Sequence, residues 1–148
     1  ILTASRSGET RKAEWGEISK DLWIIPAEKM KADRQHRVTL SSRCLEILEE
    51  AKTMRVSEII FPGRTLSAMS DMTLQQLLRR YDGRGFTIHG FRTSFMNWSM
   101  ENTDFDRTVR ELCLAHSVGN QVEQAYARSE LIDKRRELIQ QWCNYLNK

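Results

Sequence analysis

The stretch His89-Gly90-Phe91-Arg92-Thr93-Ser94-Phe95-Met96-Asn97-Trp98-Ser99-Met100-Glu101-Asn102 decides how this chain folds. Phe91, Phe95 and Trp98 recur at helical spacing, so one face of a helix is apolar and has to be buried. His89 and Arg92 stand three apart at the start of the same run. Both side chains can therefore emerge on one side, close to the backbone N–H groups that a first helical turn leaves unpaired. That combination suits an anion, phosphate above all. A lone H-x-x-R match arises often by chance, so its purpose has to be read from what surrounds it.

Toward the C-terminus the helical pattern continues. After Thr103, Phe105, Val109, Leu112 and Cys113 form a second apolar stripe that runs into Leu114-Ala115-His116, with His116 at a helix end where a protonated imidazole suits the dipole. A short apolar face holds Val122, Ala125 and Tyr126, and a last helix carries Leu131, Leu138, Ile139, Trp142, Tyr145 and Leu146.

Toward the N-terminus, Ser70 is a good N-cap for a helix with Leu74, Leu77, Leu78 and Tyr81 on one face. Met69 can staple onto Leu74, and Asp82-Gly83 and Gly85 stop the helix. Ile59 to Phe61 ends at the Pro62-Gly63 turn. Ser41 or Ser42 caps a helix whose apolar positions are Cys44, Leu45, Leu48 and Ala51. Leu22 to Ile25 and Arg37 to Leu40 read as short strands joined by a long loop that carries Lys29, Lys31, Arg34 and His36. Ser7 caps a brief helix from Gly8 to Trp15, with Glu9 in its first turn. The fold class expected is mainly α with a small antiparallel β-sheet.

With 148 residues, 40% of them hydrophobic, the chain can bury one ordinary core. A net charge of +3 permits nucleic-acid binding without arguing for it alone. Cys44, Cys113 and Cys143 form no close pair and show no metal-ligand spacing, which fits a reducing cytosol. No apolar run reaches the roughly 18 to 20 residues that cross a bilayer.

The possible chemistry lies in the order of short motifs. Thr3-Ala4-Ser5-Arg6-Ser7-Gly8-Glu9 comes first, then Glu28-Lys29-Met30-Lys31 ahead of His36-Arg37-Val38. His89 to Arg92, Leu114 to His116, and Ala125-Tyr126-Ala127-Arg128-Ser129 follow. In this order they resemble the tyrosine recombinases, and more closely the integrases of prophages and genomic islands, over nearly the whole chain. That family shows an arginine in a T-G-x-R-x-G-E-like turn, a lysine in a β-hairpin, H-x-x-R, a histidine or tryptophan, and the tyrosine. Ala4 stands where the pattern more often has glycine.

The resemblance implies a tyrosine recombinase catalytic-domain fold over residues 1–148, truncated on its N-terminal side, with the family's N-terminal DNA-binding domains absent. It implies that Arg6 and Arg92 hold a DNA phosphate, that Tyr126 attacks it, and that His89 helps the phenol lose its proton. Lys31, or Lys29 as the fallback, protonates the leaving 5′ oxygen, and His116 hydrogen-bonds the phosphate. Glu9 orients Arg6 through an ion pair. Cofactors and metals are not implied. The expected partners are double-stranded DNA, other protomers in a tetrameric synaptic complex and DNA-bending accessory proteins, with no membrane. The expected setting is the bacterial cytoplasm at the nucleoid. The run from Leu131 to Leu146 either packs on its own domain or docks on a neighbour, because an apolar stripe does not reveal whose core it enters. A catalytically silent DNA-binding module of the same fold, and a type IB topoisomerase-like activity, are the competing readings.

Overall fold

Two apolar clusters organise the chain, and the N-terminal turn meets both, with Ala4 in one and Leu2 packed against the other. The computed structural model describes residues 1–81, 85–116 and 131–147. Near the N-terminus, α1 (Ser7–Arg11) leads through a 3-10 turn into β1 (Ile18–Ser19), β2 (Leu22–Ile25) and β3 (His36–Thr39). These strands form an antiparallel sheet in the order β1-β2-β3, with Ile18 opposite Trp23, Trp23 opposite Val38 and Ile25 opposite His36. The expected sheet is therefore present, with β3 starting one residue earlier than Arg37.

α2 (Ser42–Thr53) follows, and of the two serines it is Ser41 that caps it, its Oγ accepting the Cys44 N–H at 3.4 Å. Trp23, Ile25, Met30, Val38, Leu40 and Cys44 meet Ala13 and Ile60 in the first cluster. Alternation along β2 and β3 sends Trp23, Ile25 and Val38 to this side of the pleat.

α1 is shorter than expected and begins at Ser7 with Arg6 as its cap, not Ser7. The helix cannot run on to Trp15, because Glu14 is extended and Trp15 opens the 3-10 turn. There Ile60 donates to the Ala13 carbonyl at 2.9 Å, Trp15 donates to the Glu58 carbonyl at 3.0 Å, and Glu14 bridges Ile59. The Pro62-Gly63 turn closes with Gly63 N–H on the Ser67 carbonyl at 2.7 Å.

α3 (Asp71–Arg80) starts after Ser70 as expected, but its apolar face is only partly covered: Leu77 and Tyr81 remain 48% and 80% exposed. Asp82 and Gly83, expected to stop it, lie outside the described residues.

The second cluster is helical. α4 (Gly90–Asn102), α5 (Arg107–Cys113) and α6 (Ile132–Leu146) bring together Phe95, Trp98, Val109, Cys113, Leu138, Ile139 and Trp142, with Ala4 added from the N-terminal turn. Trp142 packs edge-on to Phe95 at 5.7 Å between ring centroids and lies 5.1 Å from Trp98. The stripe of α6 thus enters the core of its own chain. α6 is also tied to the sheet, since Arg135 donates to the Arg37 carbonyl on β3. All three cysteines are free and buried, and among the described residues no helix is long and apolar enough to cross a membrane.

Candidate active site

Arg6 is presented by a strained turn. Ala4 has φ 50°, in the left-handed region that favours glycine, and the residue is only 2% exposed within the helical cluster. From there the chain extends through Arg6 (φ −68°, ψ 147°) into α1. Glu9, one turn on, accepts the Arg6 backbone N–H at 2.7 Å with one carboxylate oxygen and the Arg6 Nη1 at 2.7 Å with the other. Because Glu9 is 7% exposed, this pair is sheltered from solvent and holds the guanidinium in one orientation. The ion pair expected between Glu9 and Arg6 is thus present.

Arg92 comes to the same place from α4. His89 is the N-cap of that helix and is exposed, while Arg92, one turn in, is 5% exposed. Its Nη1 donates to the Ala4 carbonyl at 2.5 Å and its Nη2 to the Leu114 carbonyl at 2.6 Å. Two of five guanidinium N–H groups are thereby committed to backbone, and the rest remain for other acceptors. Burial, and after it the charge of Arg6, lowers the Arg92 pKa from its ordinary value, with Glu9 opposing. Arginine stays cationic under such pressure, so two positive charges are held close together in a form that an anion would relieve.

The loop between β2 and β3 supplies the lysines. Lys29 ends a 3-10 turn, and its ammonium is held by Glu14 at 2.7 Å, Glu17 at 2.5 Å and the Lys12 carbonyl at 3.1 Å. Burial pulls its pKa down, but the hydrogen bonds to Glu14 and Glu17 outweigh this and raise it above its usual value. Met30 is buried in the sheet cluster, and Lys31 is exposed.

Arg6, Lys31, His89 and Arg92 line one open cavity of about 480 Å³, together with Glu9, Lys12, Lys29 and Asp71. Five cationic side chains therefore face two carboxylates, and Asp71 is itself bound by the buried Arg11. A phosphodiester would find a positive field here.

His116 reaches the cluster from behind. α5 ends at Leu114, Ala115 takes φ 51°, and the next two N–H groups turn back: Ala115 to the Leu112 carbonyl at 3.2 Å and His116 to the Glu111 carbonyl at 3.0 Å. This is the Schellman pattern of helix termination. It aims the His116 ring so that Nδ1 lies 2.6 Å from the Glu111 carboxylate and Nε2 lies 3.3 Å from Arg92 Nη2. A carboxylate accepts only, and a guanidinium donates only, so the partners assign the proton to Nδ1 and leave Nε2 as acceptor. His116 thus stands at a helix end, as its spacing suggested, and its ring lies against Arg92.

Tyr126, with Val122 and Ala125, lies outside the described residues. Sequence reasoning passed over Glu111, Glu17 and Glu14. Glu111 carried a usable signal, five residues before a histidine at a helix end. Glu14 and Glu17 carried none, because their partner Lys29 is 15 and 12 residues away. His36, noted only as part of a basic segment, is enclosed beside this site. Burial first, and then the charges of Arg135, Arg6 and Arg92, pull its pKa down to about 3. No cluster of histidine, cysteine, aspartate or glutamate among the described residues is arranged to hold a metal ion.

Residues 1–131 match the model of the Phage integrase family. The chain is 36% identical over 150 residues to the prophage integrase IntA of Escherichia coli (strain K12), covering 97% of this chain and 36% of that protein. To the integrase of Enterobacteria phage P4 it is 34% identical over 168 residues, covering 99% of this chain and 38% of the other. It thus spans little more than a third of the length of these curated relatives. Among solved structures, XerA recombinase shares the fold at a TM-score of 0.66 and 14% identity, covering 88% of this chain and 54% of that one. A lambda integrase(75-356) dimer bound to a COC′ core site does so at a TM-score of 0.58 and 18% identity, with 79% and 47% covered.

Proposed function

Because this chain belongs to the phage integrase family of tyrosine recombinases, we propose that it is the DNA-cleaving and rejoining part of a site-specific recombinase that integrates or excises a mobile element. The observation that carries the proposal is the convergence of Arg6, Lys31, His89 and Arg92 on one cavity, with His116 against Arg92. Arg6 and Arg92, 86 positions apart, are brought together there, as a phosphoryl-transfer site requires.

Attack on a phosphodiester builds negative charge on the nonbridging oxygens, and Arg6 and Arg92, already fixed by Glu9 and by backbone carbonyls, meet that charge without further reorganisation. The Tyr126 phenol, with a reference pKa of about 10, passes its proton to His89 as its oxygen bonds to phosphorus. The bond to the 5′ oxygen breaks, and that oxygen takes a proton from Lys31. A 3′-phosphotyrosyl link and a free 5′ hydroxyl result. Reversal by the 5′ hydroxyl of a partner duplex returns both protons and reseals the strand, so no cofactor is consumed. His116 hydrogen-bonds the phosphate in this reading, with Glu111 at Nδ1 holding the ring in place.

In this reading the chain is the catalytic domain of a longer protein that acts on the bacterial chromosome in the cytoplasm, in a tetramer of protomers on paired sites with DNA-bending accessory proteins. The lambda integrase dimer on its core site supports DNA as the substrate class. Incubation of the full-length protein with a nicked duplex carrying the element's own attachment site tests the reading. A denaturation-resistant protein–DNA adduct is expected. Binding without an adduct would make the chain a catalytically silent module, and supercoil relaxation without strand exchange would make it a topoisomerase.

A further inference from the structure

We propose that Glu17 and Lys29 are positioning residues for Lys31: the Glu17 carboxylate, acting through the Lys29 ammonium, fixes the loop from which Lys31 reaches the cavity. This rests on the reading of Lys31 as the proton donor to the 5′ oxygen.

An ammonium has three N–H donors, and those of Lys29 have three acceptors: Glu17 Oε1, Glu14 Oε1 and the Lys12 carbonyl. Lys29 therefore has no donor to spare for a leaving group, although it lines the same cavity as Lys31. The second oxygen of Glu17 is also engaged, accepting from Trp23 Nε1 at 2.8 Å and from the Glu14 backbone N–H at 3.2 Å. Glu17 and Trp23 are 9% and 4% exposed, so the clamp rests on the floor of the sheet cluster. A buried carboxylate that lost its cation would be left uncompensated, which makes this pairing costly to open.

The next residue adds a second anchor. Met30 is buried among Trp23, Ile25 and Val38, and its N–H donates to the Ala27 carbonyl at 2.9 Å. Clamped at Lys29 and buried at Met30, the backbone delivers the exposed Lys31 to the cavity. The Lys12 carbonyl belongs to the residue that closes α1, the helix capped by Arg6. One ammonium thus ties the loop of the proton donor to the helix of the phosphate-binding arginine, giving the two a common frame. Placement matters here, since a shift of about 1 Å in a reacting group can cost roughly a hundredfold in rate.

The test uses the full-length protein, a nicked duplex, and the same duplex with sulfur replacing the bridging 5′ oxygen at the scissile phosphate. A leaving thiolate needs no proton, so the sulfur substrate bypasses the donor. Glu17→Gln and Lys29→Met should each slow cleavage of the ordinary duplex roughly tenfold to a hundredfold. On the sulfur substrate both should come back to within about threefold of the parent, since only general-acid help is then missing. Lys29→Arg, which keeps charge and donors, should retain most of the rate. Glu14→Gln, at a more exposed carboxylate, should show a smaller loss with the same recovery, and it keeps the test open if a buried substitution unfolds the protein. Lys31→Ala tests the underlying reading, with a loss of at least about a hundredfold that sulfur restores. If Lys31→Ala is not restored, that reading fails and the proposal with it. If Lys31→Ala is restored while the Glu17, Lys29 and Glu14 variants lose rate on both substrates alike, or on neither, the proposal alone is overturned.

Discussion

Arg92 donates from Nη1 to the carbonyl oxygen of Ala4, 2.5 Å away, so the turn that presents Arg6 is held by the other arginine of the same cavity. The second bond of that guanidinium, to the Leu114 carbonyl at 2.6 Å, reaches the end of the helix that presents His116. One buried side chain therefore sets three elements of the site in register. A lysine ammonium, a single nitrogen, lacks the planar fork by which separate Nη atoms reach the two carbonyls. Arg92→Lys should lower stability by about 2 kcal/mol, the scale of a charged hydrogen bond lost in the interior. It should also slow cleavage by about a hundredfold or more, as removal of a fixed oxyanion donor does. Thermal unfolding and single-turnover cleavage measure the two losses. An unchanged melting temperature would mean that the bonds to Ala4 and Leu114 carry no structural weight.

Ala4 sits at φ 50° with its methyl group packed among Phe95, Trp98 and Trp142. A β-branched side chain at that angle is strained and has no room. Ala4→Val should destabilise by about 2 kcal/mol or more, and cleavage should fall with it because the carbonyl that holds Arg92 moves. Chemical denaturation of parent and variant checks this, and equal midpoints would contradict it.

Ala115 occupies the left-handed position of the Schellman turn at φ 51° and is only half-buried. Glycine adopts that angle without the Cβ penalty, so Ala115→Gly should raise stability by up to about 1 kcal/mol. Cleavage should be unchanged because His116 keeps its place. A drop in melting temperature would show that the turn is not at the helix end assigned to it.

The stability of the protein should fall on acidification in a way that depends on His36. Burial and the nearby arginines pull its pKa down to about 3 in the folded chain, against an ordinary 6.5. Between these values the unfolded chain binds the proton and the folded chain does not. Stability is therefore fully kept above about pH 6.5 and lost progressively toward pH 3, by at most about 1.4 kcal/mol per pH unit. His36→Gln should flatten the curve in that window and leave it unchanged above. Parallel curves for parent and variant would contradict the placement of the ring beside Arg6, Arg92 and Arg135.

Much of the fold was legible because it rests on local periodicity. The stripe of Phe95 and Trp98, the alternation through Trp23 and Ile25, and the cap at Ser41 all appear where the spacing put them. Boundaries set by distant pairing were not legible: α1 stops short of Trp15 because residues 58–60 pair with 13–15, which no local pattern records. The apolar face of α3 was legible as a face, but the exposure of Leu77 and Tyr81 on it was not, because burial depends on what covers a face. Within the site, Arg6, Lys31, His89, Arg92 and His116 could be named from motifs, but the choice between Lys29 and Lys31 could not be argued until Glu14 and Glu17 were seen on Lys29. For α6 the sequence left two destinations open, and Leu138, Ile139 and Trp142 lie in the core of their own chain.

Tyr126 is the proposed nucleophile, and peptide mapping of the covalent adduct tests this most directly. The full-length protein, trapped on a nicked duplex and digested, should yield DNA attached to the peptide containing Tyr126, and Tyr126→Phe should abolish the adduct while DNA binding persists. An adduct that survives Tyr126→Phe, or that maps to Tyr81 or Tyr145, would contradict the account.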